Sequence, residues 1–344
     1  MLSRWENGNG QPDTVYRRLF CAIYQRDEED LGFTDDRHVG TSPRVAPTLD
    51  NKTVDYFRNV FDQHVRADNL MGPHHLVDVV RAQATLLDEI LPGAKNEIRD
   101  NLLLLACRYN ELTGWLYQDA GDPANAMLYS DRAMDYAVAI GDPTETTYLL
   151  MRKSNIACDL GKPDRALGLT TAGLREASKI TPRIRAVVLG QQARAHALRG
   201  DADACLRSLD AAMREITRPD VGSDSIARYC TPEYMQMQSA TCWTVLNMPD
   251  QAIPVFEAAL SSWPPFHRRD QGICLTRLAS AHAARGDKER ACQIGMEAVN
   301  TVRTATSARA LRDLHRLRER LVPWRRDAEV LTLRHAIKSL AQGS

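Results

Sequence analysis

Nine histidines and eight cysteines are the residues of this 344-residue chain best suited to metal binding or to acid, base and nucleophile chemistry. His74 and His75 are neighbours, but adjacent residues on a helix point about 100 degrees apart and cannot share one ion as an i, i+4 pair could. They read as the solvated start of a helix. The cysteines (Cys21, Cys107, Cys158, Cys205, Cys230, Cys242, Cys274 and Cys292) are widely spaced, with no CxxC pair of the zinc-knuckle or redox kind. They read as free thiols of a reducing compartment. Glu28, Glu29 and Asp30 form a charge run whose plain meaning is a solvated helix start. The sequence has no glycine-rich phosphate loop, no GxSxG and no HExxH. The expectation is therefore a protein that is no enzyme, carries no metal or cofactor, and works by binding partners.

The elements that would hold a binding face are helical by composition. Hydrophobic residues make up 44% of the chain and aromatics only 6%, and the recurrence of Ala, Leu and Arg favours helices packed through small side chains. Lys plus Arg and Asp plus Glu both total 44, so global charge offers no argument for nucleic acid or for a membrane surface. The first residues contain no apolar stretch of the signal-peptide kind, and no run of about 18 uncharged apolar residues occurs. Neither a leader nor a membrane span is expected, and the cytoplasm is the expected location.

A repeat organises the chain. Gly121, Gly161, Gly200, Asn247 and Gly286 are each followed within two residues by an Asp or Pro that can start a helix. Seven residues before each anchor stands a small residue (Gly114, Ser154, Ala193, Ala240, Ala279), and five after it another (Ala126, Ala166, Cys205, Ala252, Ala291). Twelve after it the set is Ala133, Gly173, Ala212, Ala259 and Ala298. Such columns mark helix crossings, where only short side chains let two backbones approach. Four before the anchor come Tyr117, Ala157, His196, Trp243 and His282, mostly larger fillers, which makes packing the expected role of both histidines. Gly121-Asp122-Pro123 and Gly141-Asp142-Pro143 each offer a left-handed stop, an N-cap and a first-turn proline. Thr181-Pro182 and Thr231-Pro232 read as further N-caps, and residues 218–225 as a longer loop.

These columns resemble the tetratricopeptide repeat, whose helix pair carries small residues at its crossings and a Gly or Asn at its turn. The spacing departs from that family, whose period is about 34 residues. The expected fold is all-α: a right-handed superhelical solenoid of tetratricopeptide-like helix pairs over residues 51–344, preceded by a partial helix-turn-helix bundle. The resemblance implies a concave surface lined by the first helix of each unit, where extended peptides are gripped. Projecting that face selects Arg108, Glu111, Trp115, Gln118, Tyr148, Met151, Asn155, Arg194, Tyr234 and Met237, with Asn155 matching the family's groove asparagine. Tyr148, Met151 and Met237 fit core between units equally well.

The segment Ser3-Arg4-Trp5-Glu6-Asn7-Gly8, then Gln11-Pro12, the apolar stretch 16–24 and Glu28-Glu29-Asp30-Leu31-Gly32 resembles the latter half of a phage-repressor-type (XRE) helix-turn-helix domain. With the stretches 112–122 and 151–157, the whole chain resembles actinobacterial regulators that join such a head to a tetratricopeptide-like sensor. The resemblance implies residues 1–34 as a helix-turn-helix remnant, 35–50 as a linker and 51–344 as the sensor. It also implies control of DNA binding by a peptide, small molecule or protein. By the resemblance, the helices ahead of the recognition motif would precede Met1, so the head is expected to be truncated. Ser3, Arg4 and Arg17 or Arg18 are left as phosphate contacts, so weak, salt-sensitive DNA binding is expected unless the head is completed. A homodimer is expected by analogy, and the alternative is a stand-alone interaction module without DNA binding. Residues 303–338 carry ten Lys or Arg against four Asp or Glu, which suits either a solvated face or docking against phosphate or an acidic surface.

Overall fold

Every regular element described from residue 51 onward is helical. The computed structural model describes Arg17, Cys21 and residues 49–219, 226–263, 267–305 and 307–342, and the chain divides into two units, residues 1–48 and 49–344. Of the first unit, Arg17 and Cys21 are helical and half-buried. Ser3, Arg4, Arg18 and nearly all of the expected head and linker lie outside the described residues, as does most of the loop expected at 218–225.

The second unit contains α1 (Asn51–Met71), α2 (Val77–Ile90), α3 (Asn96–Ala120), α4 (Pro123–Ile140), α5 (Pro143–Asp159), α6 (Pro163–Leu174) and α7 (Pro182–Leu198). These are followed by α8 (Ala202–Ile216), α9 (Pro232–Val245), α10 (Pro249–Ser261), α11 (Arg268–Arg285), α12 (Lys288–Thr304), α13 (Ala308–Arg320) and α14 (Ala328–Gln342). Among the described residues no strand occurs.

Five helix hairpins, α3/α4, α5/α6, α7/α8, α9/α10 and α11/α12, share one turn. In each, the anchor residue sits in the left-handed region: φ is 89° at Gly121, 67° at Gly161, 77° at Gly200, 58° at Asn247 and 91° at Gly286. In each, the N–H after the anchor donates to the carbonyl five residues back, at Tyr117, Ala157, His196, Trp243 and His282, over 2.8–3.0 Å. The anchor's own N–H donates to the carbonyl three residues back, over 3.0–3.3 Å. This pair of bonds satisfies the orphan carbonyls of the helix end. Asn247 takes the left-handed position in place of glycine at modest cost, as asparagine can.

The next helix starts are capped as their sequences require. Asp122 accepts from the Asn125 N–H at 3.0 Å, Asp142 from Thr144 at 2.8 Å, Asp201 from Ala204 at 3.0 Å and Asp287 from Arg290 at 3.3 Å. Thr181 and Thr231 accept from Ile184 and Tyr234. The small columns lie at the crossings: Ala126, Ala166, Cys205, Ala252 and Ala291 are wholly buried, as are Ala193, Ala240 and Ala279. At the α3/α4 crossing a Cβ on Gly114 would stand 3.0 Å from the Ala126 carbonyl oxygen. One hairpin later Ser154 Oγ donates to the Ala166 carbonyl at 3.0 Å.

The first helices of successive pairs form an inner series. α1 packs on α3, α5 on α7, α7 on α9, α9 on α11 and α11 on α13, while α3 and α5 are joined by side-chain hydrogen bonds. The series then returns on itself, because α11 also touches α1 and α13 touches α3. Apolar packing is divided along the chain: one cluster holds α1–α3 around Phe57, Leu87 and Tyr109, and another holds α9–α14 around Phe256, Leu278 and Leu317.

Candidate functional site

The residues projected onto the binding face occupy the inner series; Gln118 and Asn155 bond directly, and most of the other polar ones are linked through residues outside that set. Trp115 on α3 is the centre. Its Nε1 donates to Asp68 Oδ2 on α1 at 3.0 Å, and three guanidinium groups lie over its ring. Arg309 of α13 is 4.2 Å from the ring centroid, Arg152 of α5 is 4.6 Å and Arg269 of α11 is 5.2 Å. A desolvated cation over an indole face is attracted by about 2 kcal/mol.

Each of those cations also meets a carboxylate. Arg152 Nε donates to Glu111 Oε1 at 2.7 Å, and its Nη2 donates to Gln118 Oε1 at 3.1 Å. Gln118 Nε2 donates in turn to Asn155 Oδ1 at 2.6 Å and to Asp159 Oδ2 at 2.7 Å. Asn155 Nδ2 donates to Gln191 Oε1 at 3.1 Å, and Arg194 Nη2 donates to Asp159 Oδ1 at 2.5 Å. Arg108 pairs with Glu145 at 3.4 Å. The arrangement is a continuous polar network across α3, α5 and α7, held by backbones that the shared turns place in register.

Electrostatics follow from burial and pairing. Burial pushes the Glu111 carboxyl above its usual range against the pull of Arg152, and does the same to Glu145 against Arg108. For Asp159 burial also pushes upward, but Arg194 and Arg312 together overcome it and hold the carboxyl well below the usual range. Burial and the like charge of Asp119 raise Asp68, opposed by Arg269.

The aromatic positions gather beside this network. Tyr148 is 5% exposed and its hydroxyl lies 3.5 Å from that of Tyr229, whose ring meets Tyr234 edge-on at 5.1 Å. Desolvation pushes the Tyr234 phenol up to about 12 and raises those of Tyr148 and Tyr229 as well. Tyr229 keeps 43% of its surface open while its hydroxyl faces that of Tyr148. Tyr148 and Met151 belong to the apolar cluster around Ile184 and Val188, and Met237 packs on the cluster of α9–α14. For these three, core packing is what the structure places.

Other sequence candidates separate cleanly. His74 and His75 are exposed in a single 3-10 turn, and among the described residues no group of three or more His, Cys, Asp or Glu is placed to hold a metal ion. His282 is buried, with Nδ1 3.2 Å from Asp287 across its own turn. Burial raises the thiols of Cys230 and Cys274 to about 12, so they are poor nucleophiles. Cys205 and Cys242, far apart in sequence, are buried in one small apolar cluster with Ala193, Ala197 and Leu209.

Sequence reasoning missed Asp68, Asp119, Asp159, Arg152, Tyr229, Arg269, Arg309 and Arg312. Two of these carried a signal in their spacing: Asp119 and Asp159 each stand two residues before a turn anchor, so they are equivalent positions of adjacent hairpins. Arg309 and Arg312 lie in the basic stretch 303–338, whose charge excess is visible without its partners, whereas Arg152 and Arg269 carried no signal, because their partners lie far away along the chain. The basic stretch 303–338 meets acidic groups of the same chain: Arg309 donates to Asp119 at 2.7 Å and Arg312 to Asp159 at 2.8 Å.

No helix among the described residues is long and apolar enough to cross a membrane. Compared with protein-family models and with curated proteins, the chain matches none of either.

Proposed function

We propose that residues 51–344 are a right-handed, tetratricopeptide-like superhelix whose inner face binds a ligand, and that the chain is the sensing part of a helix-turn-helix transcription regulator. The observation that carries the binding reading is the linkage of Glu111, Trp115, Gln118, Asn155 and Arg194 through Arg152 and Asp159 into one inner network, with the Arg108–Glu145 pair beside it. All of them lie on the first helices of their hairpins. Guanidinium, amide and indole groups on rigid helices can recognise carboxylates, peptide amides and flat rings. A peptide, small molecule or protein that exchanges partners with this network would alter how the first helices sit against one another. The regulator reading rests on the resemblance of residues 3–32 and of the whole repeat region to the XRE-type sensors. No catalytic role is proposed for these groups, because each is engaged in pairing and none is poised as an isolated nucleophile or base.

Two measurements test the reading. Chromatin immunoprecipitation of the chain tagged at its own locus should enrich a small set of promoters, and uniform background would leave only the stand-alone interaction module. Native mass spectrometry of the purified wild-type chain should show a co-purified mass that is lost in Asn155→Ala and Trp115→Ala. Retention of that mass by both variants would place the ligand elsewhere.

A further inference from the structure

The helices that close the inner series meet through polar groups. From α11, Arg269 bonds Asp68 of α1, donates to Asn69 Oδ1 at 3.1 Å and stands 3.6 Å from Asp119 of α3. From α13, Ser307 at its N-cap and Arg309 donate to Asp119 Oδ1 at 2.6 and 2.7 Å. One turn further along the same face, Arg312 donates to Asp159 Oδ2 of α5 at 2.8 Å. The two acids are equivalent positions of adjacent hairpins, and the two arginines are an i, i+3 pair, so the spacing of one matches the spacing of the other.

This contact differs from those inside the hairpins. The apolar clusters of α1–α3 and α9–α14 are separate, and the hydrogen bonds and ion pairs across the closure are made by Asp, Asn, Ser and Arg. Desolvated charge pairs return much of their attraction as desolvation cost, unlike buried apolar surface. The pairing is also incomplete, because Asp68 Oδ1, Asp119 Oδ2 and Arg309 Nη2 are buried without a hydrogen-bond partner. Parting the two sides would give all three atoms water while leaving the hairpin cores intact.

We propose that the closed ring is a latched state: α11–α14 part from α1–α5 as a body, and the pairs of Asp68, Asp119 and Asp159 with Arg269, Arg309 and Arg312 are the clasp. The proposal does not depend on what the inner face binds or on DNA. In the closed state Asp119 and Asp159 are occupied by the chain's own arginines. Any ligand reaching Trp115 from the α13 side must displace Arg309.

Small-angle X-ray scattering and far-ultraviolet circular dichroism on the full chain test this. Arg309→Gln/Arg312→Gln should shift the radius of gyration and maximum dimension upward at unchanged helical signal, whereas Arg309→Lys/Arg312→Lys, which keeps the charges, should stay close to wild type. Arg312→Gln alone leaves Asp159 neutralised by Arg194 and should give an intermediate shift without unfolding. Scattering curves of the single and double Gln variants that superimpose on wild type would overturn the clasp. So would loss of helical signal in the double Gln variant with no expansion in the single one, because the contacts would then belong to the folding core.

Discussion

At the scale of single residues, the buried His282 and the half-buried His64 and His196 show how a packing role acquires a pH signature. His282 is enclosed by α11, with Asp287 at 3.2 Å from Nδ1, Glu257 at 3.8 Å from Nε2 and Arg285 at 3.2 Å from Nδ1. Burial holds its imidazole below the ordinary 6.5 despite the two acids, and His64 and His196 are shifted the same way by burial. A folded-state value below the unfolded one means that the fold prefers the neutral ring. The associated stability is complete above about pH 6.5 and is lost as pH falls through the lowered value. Thermal unfolding followed between pH 7.5 and 5 should therefore show a falling midpoint in the wild type and a shallower fall in His282→Gln. Equal slopes would mean that His282 does not titrate with folding. The slope that remains in the variant is the balance of His64 and His196, shifted in the same sense, against the buried carboxyls of Asp68, Glu111 and Glu145, shifted in the opposite one.

The helix pair is the scale at which sequence was most informative, because a turn and a crossing are decided by residues close together in the chain. Left-handed anchors, N-capping Asp and Thr, and small residues at −7 and +5 were readable, since each answers a local steric or hydrogen-bonding demand. The closure was not readable: Arg269 and Asp68 are 201 positions apart, and Arg312 and Asp159 are 153. Nothing in local spacing ties such pairs. Asp119 and Asp159 could have been noticed as a repeated acidic column, but not their partners. Tyr148 and Met151 were ambiguous because one helix presents a wide face, part of which packs on the next unit. Two glycines give opposite predictions at this scale. Gly114 has the Ala126 carbonyl 3.0 Å from any added Cβ, so Gly114→Ala should lower stability by about 1–3 kcal/mol. Gly168 lies within helix α6 with nothing within 4 Å, so Gly168→Ala should raise stability by about 0.5–1 kcal/mol. Urea unfolding of both checks the register of the crossings, and the same sign in both would break it.

For the molecule as a whole, most helix contacts join neighbours in sequence, and among the described residues the α1/α11 and α3/α13 contacts, together with the α5/α13 ion pair of Asp159 and Arg312, bring the ends of the series together. Neighbour contacts alone allow hairpins to melt in stages, whereas a contact between distant parts couples them. Asp159 is the acid through which this coupling should respond to pH, because Arg194 and Arg312 hold its carboxyl well below the ordinary 3.8 in spite of burial. A depressed folded-state value contributes stability that is present above the unfolded value, near 4, and disappears as pH falls through the folded one. Glu111, Glu145 and Asp68 are raised by burial and act in the opposite sense, so total acid stability is a balance and the Asp159 share must be isolated by difference. Arg312 is 37% exposed, so Arg312→Gln should cost only about 1 kcal/mol at neutral pH. Thermal unfolding of wild type and Arg312→Gln at pH 7, 5 and 3 isolates that share. The gap between their midpoints should be steady from pH 7 to 5 and should narrow toward pH 3, where Asp159 of the variant, held down by Arg194 without Arg312, takes up a proton while that of wild type stays ionised. A gap that is unchanged at pH 3 would show that Arg312 holds the ring by packing and not by its pairing with Asp159.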